Sequence, residues 1–228
     1  MRPERRWAEL QEPPSRHVLW LSQDVPEARV REAAVSRGVT VNDVCLAALA
    51  QALKGWHRTH LARKEPCPDM YALMPMSVRQ EHERHAPGNH VAGHRVTLPC
   101  SVSDLDEAVR RVHRQTDAVR AARARDVFRL AIRVLPSWLG EHASNTFTAR
   151  RSTPIVVSSV ALPTPMTCMG VPLYAASMFG DLCDDRLFSV FFTRAAGVVR
   201  CGVLYDGALP QAAALPGLWG AALHRRGL

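Results

Sequence analysis

The sequence predicts an α/β (α+β) fold, a mixed β-sheet covered by amphipathic helices, and three observations carry that expectation. Val41, Val44, Cys45, Ala48, Leu49, Ala52, Leu53 and Trp56 recur at alternating three- and four-residue steps, the spacing of one face of a 3.6-residue helix. Leu105, Val109, Val112, Thr116 and Val119 repeat in the same way, with Arg110, Arg111, Arg114 and Arg120 between them facing outward. Short β-branched or aromatic runs, bounded by Gly, Pro and Asp, fill much of the remainder. The 228 residues, 47% hydrophobic, suffice for a core in one large or two small domains.

Taken in order, residues 1–15 form an N-terminal arm whose only large apolar side chains are Trp7 and Leu10; it is expected to lie on another surface or stay mobile. The domain proper covers 16–228. Residues 16–22 have strand content, and Asp24 to Arg37 is expected to form a short amphipathic helix stopped by Gly38. Thr40 and Asp43 then stand at capping-box spacing, so the next helix starts at Val41 and fades near His60. Strands are predicted over 70–79 and 88–99, joined by a charged loop rich in histidine. A long helix follows at 105–119, then a second from Val127 to about Trp138, broken by Pro136, and a polar linker at 143–153. The runs 154–163, 173–178, 187–193 and 198–205 read as strands, and Pro210 to His224 as a closing amphipathic helix.

The formal charge of +8 would suit phosphate-bearing partners or an anionic membrane surface. Its arginines are dispersed, without aromatic interleaving or zinc-finger spacing, which argues against nucleic acid. No apolar run reaches the roughly 18–20 residues that span a bilayer, and the first residues lack the apolar core of a signal peptide; the expected location is cytoplasmic, with at most peripheral membrane contact. Six cysteines without a C-x-x-C pair read as reduced, buried thiols.

Candidate chemistry is sparse. His82 and His85, and His90 and His94, have spacings that could share a face, but a metal site needs convergent geometry that spacing does not supply, and no metal is expected. His113, beside Val112, reads as a boundary residue. There is no G-x-S-x-G elbow, phosphate-cradling glycine loop or dinucleotide fingerprint. The pair Asn42-Asp43 has two readings: a helix cap that favours negative charge at the positive helix end, or part of a functional motif.

The second reading comes from resemblance. Thr40-Val41-Asn42-Asp43-Val44 and the Ala/Leu-rich run after it, then Pro75-x-Ser77-x-Arg79, Gly88-Asn89 with Ala92, and Leu98-Pro99 resemble, in order, the C-terminal domain of the wax ester synthase/diacylglycerol acyltransferase family. Ser158-Ser159, the segment Phe188-Ser189 to Gly197, and Asp206 to Pro210 continue the likeness to the C-terminus, with departures: Ser159 and Ser189 stand where the family has Asn, Ala161-Leu162 where it has Pro-Gly, and Arg194-Ala195 where it has Ser-Tyr.

The resemblance implies one chloramphenicol-acetyltransferase-like half of an enzyme that moves a fatty acyl group from coenzyme A to an alcohol. It implies a supporting role for Asn42 and Asp43, and a cleft lined by Ser77, Arg79, Asn89, Ser158 and Ser159. The donor would be acyl-coenzyme A or a phosphopantetheine-linked acyl group, bound as substrate, with no permanently bound cofactor. The family's catalytic base is the second histidine of H-H-x-x-x-D-G in the first half, and this chain has no adjacent histidines. The expectation is therefore the C-terminal half of a split acyltransferase, completed by a partner chain that brings that motif, with an acyl carrier protein as a further partner. The alternative is a non-catalytic binding or scaffold protein that self-associates as a homodimer.

Overall fold

The computed structural model describes residues 7–59, 61, 66–83, 87–88, 90–134, 136, 149–150, 152–163 and 165–224. The β-branched runs assemble a six-stranded mixed sheet from β1 (Val18–Pro26), β2 (Met70–Ser77), β3 (Val91–Leu98), β4 (Ile155–Ala161), β7 (Phe188–Ala195) and β8 (Val198–Asp206), in the order β1-β8-β7-β4-β2-β3. β4 runs parallel to both β2 and β7, and the other pairs are antiparallel. A separate two-stranded ribbon pairs β5 (Thr167–Cys168) with β6 (Val171–Pro172) through Met169 and Gly170, both at positive φ, as a tight hairpin turn requires.

Helix α2 (Val41–Thr59) is the centre of the core. It begins where the capping box predicts, but burial extends beyond the predicted face: Leu46, Ala47 and Ala50 are as buried as Val44 and Leu53. The alanines let neighbours close in on several sides, namely α1 (Glu27–Ser36), α3 (Leu105–Ala121) and the C-terminal α5 (Leu215–His224). Two of the buried indoles satisfy their N–H groups on backbone: Trp56, on α2 itself, donates to the Pro210 carbonyl at 3.0 Å, and Trp219, on α5, to the Cys45 carbonyl at 3.2 Å. No single helix among the described residues is long and apolar enough to cross a membrane.

Several elements differ from the sequence expectation. The first strand runs through to Pro26 and α1 starts only at Glu27, because Asp24 sits opposite Arg200 in the β1–β8 ladder and takes a two-pronged hydrogen bond from it at 2.7 and 2.8 Å. The arm packs on this chain's own core: Trp7 stacks on Trp56 with ring centres 5.9 Å apart, Leu10 is buried, and Arg150 donates to the Leu10 carbonyl at 2.7 Å. Residues 173–178 form no strand; they cross the outer face of the sheet, held by Arg200 donating to Ser177 Oγ at 2.7 Å and by Phe179 against Trp20 at 4.9 Å. The helix expected from Val127 is α4, which starts at Ala124 and is described to Val134; most of the expected 143–153 linker lies outside the described residues. Four cysteines are buried, but Cys168 and Cys183 are exposed.

One proline shapes the sheet. The Val78 N–H donates to the His90 carbonyl at 3.0 Å, across to the β3 side. Peptide groups alternate edges along a strand, so the nitrogen of Pro75 faces β4, where it has no proton to give. The β2–β4 ladder accordingly stops after Ala72–Ile155 and Leu73–Val156. Beyond it the carboxyl ends of these two parallel strands part from each other, while β2 stays paired to β3 and β4 to β7, and such a parting between parallel strands is the position at which open α/β sheets place ligands.

Candidate functional site

Asp43 is the buried hub at the start of α2. Its carboxylate accepts the Thr40 N–H at 3.0 Å while Thr40 Oγ1 accepts the Asp43 N–H at 3.2 Å, closing the box that the spacing predicts. Two further bonds come from α3, far along the chain: Thr116 Oγ1 donates to Asp43 Oδ1 at 2.7 Å, and His113 Nδ1 lies 2.9 Å from Oδ2. Burial pushes the Asp43 carboxyl up, but the bonds from His113, Thr116 and Thr40 outweigh it, and the net direction is down. An ionised carboxylate only accepts, so His113 carries its proton on Nδ1 and leaves Nε2 without a partner among the described residues. This is the orientation of a general base, and through its bond to Asp43 the ring ties α2 to α3.

His113 was not identified as a partner from sequence. Its signal was Thr116, a polar residue inside an otherwise apolar helical stripe, which has to find a bond when buried. Asn42 stands beside the hub with its Oδ1 buried and unpartnered among the described residues.

The residues expected to line a cleft fall elsewhere. Ser77 ends β2, with its Oγ accepting the Arg79 N–H at 3.4 Å, and Arg79 also donates to the Gly88 carbonyl. Ser158 is half-buried and Ser159 exposed on the outer half of β4. Because β2 and β4 are parallel, these four residues gather at one end of the sheet, flanking the gap that Pro75 opens. Asn89 lies outside the described residues.

The remaining histidines do not converge. His82 is exposed in a short turn, His90 bonds the Pro87 carbonyl at 3.2 Å, and His94 is half-buried on β3, where burial holds its pKa down; His85 lies outside the described residues. Among the described residues no group of His, Cys, Asp and Glu could hold a metal. A shallow depression beside residues 175–176, lined also by Thr193 and Arg200, has no room for a ligand.

The surface carries a different signal. On α4, Val127, Leu130 and Val134 form one helical stripe, yet they are 61%, 64% and 69% exposed. Arg129 fixes this helix by a two-pronged pair with Glu83, which holds that carboxyl down at about 2. Met169, Val171, Tyr174 and Phe179 add exposed apolar area on and after the β5–β6 ribbon.

The carboxylates give a pH prediction. Asp24 is held down by hydrogen bonds from Arg200; in Asp206 burial pushes up but bonds from Ser15, Ala208 and Arg16 prevail, as the bonds of Asp43 do. Each folded pKa lies below its unfolded value of about 3.9, so their stabilisation is full above that value and is lost as pH falls through the folded pKa values. Thermal melts should therefore change little through these groups from about pH 7 to 5 and drop steeply below about pH 4. Asp206→Asn should flatten part of that drop; an unchanged acid limb would show that its bonds do not favour the ionised form.

Comparison with known proteins agrees with this architecture. No family model matches the chain. A wax ester synthase/diacylglycerol acyltransferase from Marinobacter aquaeolei VT8 superposes with a TM-score of 0.66 at 16% identity, over 94% of this chain and 50% of that one. The epimerization domain from the third module of tyrocidine synthetase B superposes at 0.57 and 14% identity, over 93% and 48%. In sequence, a candidate diacylglycerol O-acyltransferase of Mycobacterium tuberculosis is 34% identical over 108 residues, 46% of this chain and 22% of that protein. The chain thus has the fold of one chloramphenicol-acetyltransferase-like half, as found in acyltransferases and condensation domains, and spans about half the length of these structural relatives.

Proposed function

We propose that this chain is the C-terminal half of an O-acyltransferase that uses acyl-coenzyme A or an acyl carrier, and that a partner chain bearing H-H-x-x-x-D-G supplies the catalytic histidine. The observation that carries this reading is the exposed apolar stripe of Val127, Leu130 and Val134 on a well-formed helix, in a fold that overlays half of a wax ester synthase. In the complete enzyme the partner's histidine takes the proton of the acceptor hydroxyl, the oxygen attacks the thioester carbonyl, and the thiolate leaves to be reprotonated as free thiol. Asp43 positions the start of α2, and Ser77, Arg79, Asn89, Ser158 and Ser159 line the donor's path, where Arg79 offers charge to the phosphates of coenzyme A or phosphopantetheine. The reaction belongs in the cytoplasm, with peripheral membrane contact at most.

The deciding experiment is purification of this chain from its native cell with whatever accompanies it, followed by acyl-transfer assays on the separate and mixed components. Activity confined to the mixture supports the proposal. Absence of the base alone costs on the order of 10²–10⁴-fold, so appreciable turnover by the isolated chain would overturn it. The departures at Ser159, Ala161, Leu162 and Arg194 favour a second reading, a non-catalytic homodimer that buries the same stripe; sedimentation of a stable dimer with no acyl-coenzyme A binding by calorimetry would establish it.

A further inference from the structure

We propose that Cys67 and Cys100 form a reversible disulfide that staples the open end of the β2–β3 hairpin. The last ladder pair is Met70–Leu98, and the chain segments beyond it stay side by side, with the Ser101 N–H donating to Asp69 Oδ1 at 2.8 Å. Cys67 precedes this point and Cys100 follows it, both buried, at 5% and 0% exposure. The Cys67 thiol donates to the Pro68 carbonyl at 3.7 Å, and the Cys67 side chain and the Met70 backbone both lie close enough to Cys100 to act on its thiol. Pro66, Pro68 and Pro99 flank the pair and restrict the backbone on both sides.

The position has a mechanical meaning. The β2–β3 hairpin joins the rest of the sheet through only the two residue pairs before Pro75, so it is the segment of the sheet with least cross-strand support. Its far end carries Ser77 and Arg79. A covalent bond at the open end would turn the hairpin into a closed ring and restrain it.

The chemistry balances with a small disulfide such as oxidised glutathione as the oxidant. Cys67, nearer the surface, attacks as thiolate, forms a mixed disulfide and releases one glutathione thiol. Cys100 then attacks the Cys67 sulfur and releases the second, so the protein loses two hydrogens and two electrons and the oxidant gains them. Burial pushes the Cys100 thiol up, which makes the second step slow in the closed state and dependent on local opening.

The test uses the full chain with the exposed thiols removed, C168S/C183S, incubated with oxidised and reduced glutathione, quenched by alkylation and mapped by peptide mass. The expected result is a Cys67–Cys100 linked peptide lighter by two hydrogens, reversed by dithiothreitol, with a melting temperature raised by roughly 5–15 °C. Adding C67S should abolish both the link and the gain. A Cys45–Cys201 link in its place, a persistent mixed disulfide, complete alkylation of all four remaining thiols after unfolding, or a melting gain that survives C67S would each overturn the proposal.

Discussion

Asp43→Ala should lower the unfolding free energy by about 2–4 kcal/mol, the loss of a helix cap together with hydrogen bonds to a buried carboxylate. The carboxylate has no exposed surface and satisfies three groups at once: the Thr40 N–H, the Thr116 hydroxyl and the His113 ring. Alanine fills none of these roles. It leaves a helix start uncapped, which costs about 1 kcal/mol, and strands two polar side chains of α3 against an apolar helix. Asp43→Asn keeps the shape and one acceptor oxygen, so it should cost less, about 1–3 kcal/mol. His113→Gln, which can still donate, should be milder again. Urea denaturation of the three variants checks the order; a loss under 1 kcal/mol for alanine would mean that the junction of α2 and α3 is carried by apolar packing alone.

That hub also shows what a sequence can disclose. The box between Thr40 and Asp43 was legible because its partners are three residues apart and its geometry is helical. The other half of the hub was hidden, since His113 lies 70 residues away and only the packing of α3 on α2 brings it in. Distance in the chain explains the remaining departures too. Asp24 looked like the start of a helix until Arg200, 176 residues on, drew it into a ladder. Trp7 looked unattached until Trp56 supplied a face to stack on. The run 173–178 has the composition of a strand, but its polar anchor is Arg200, whose guanidinium holds Ser177 across the face of the sheet. Ser77, Arg79, Ser158 and Ser159 share one end of the sheet, and the feature that sets them apart, the proton missing from Pro75, becomes meaningful only once the pairing partner of each edge is known.

The stripe on α4 leads to the prediction that reaches function most directly. Val127→Asp with Leu130→Asp should leave the isolated chain folded, with stability changed by less than about 1 kcal/mol, because neither side chain is buried within it. An apolar helix face that costs nothing to charge in isolation must owe its composition to something outside the described core. If the catalytic half covers it, each side chain contributes roughly 1.5–3 kcal/mol on burial, so losing both should weaken association by 10²-fold or more, at 1.4 kcal/mol per factor of ten. Acyl transfer by the mixture should fall in proportion at limiting concentration and recover when the partner is added in excess. The recovery matters, because a variant that damaged the cleft itself would stay inactive however much partner was supplied, and one that left association untouched would show that α4 faces solvent in the assembled enzyme.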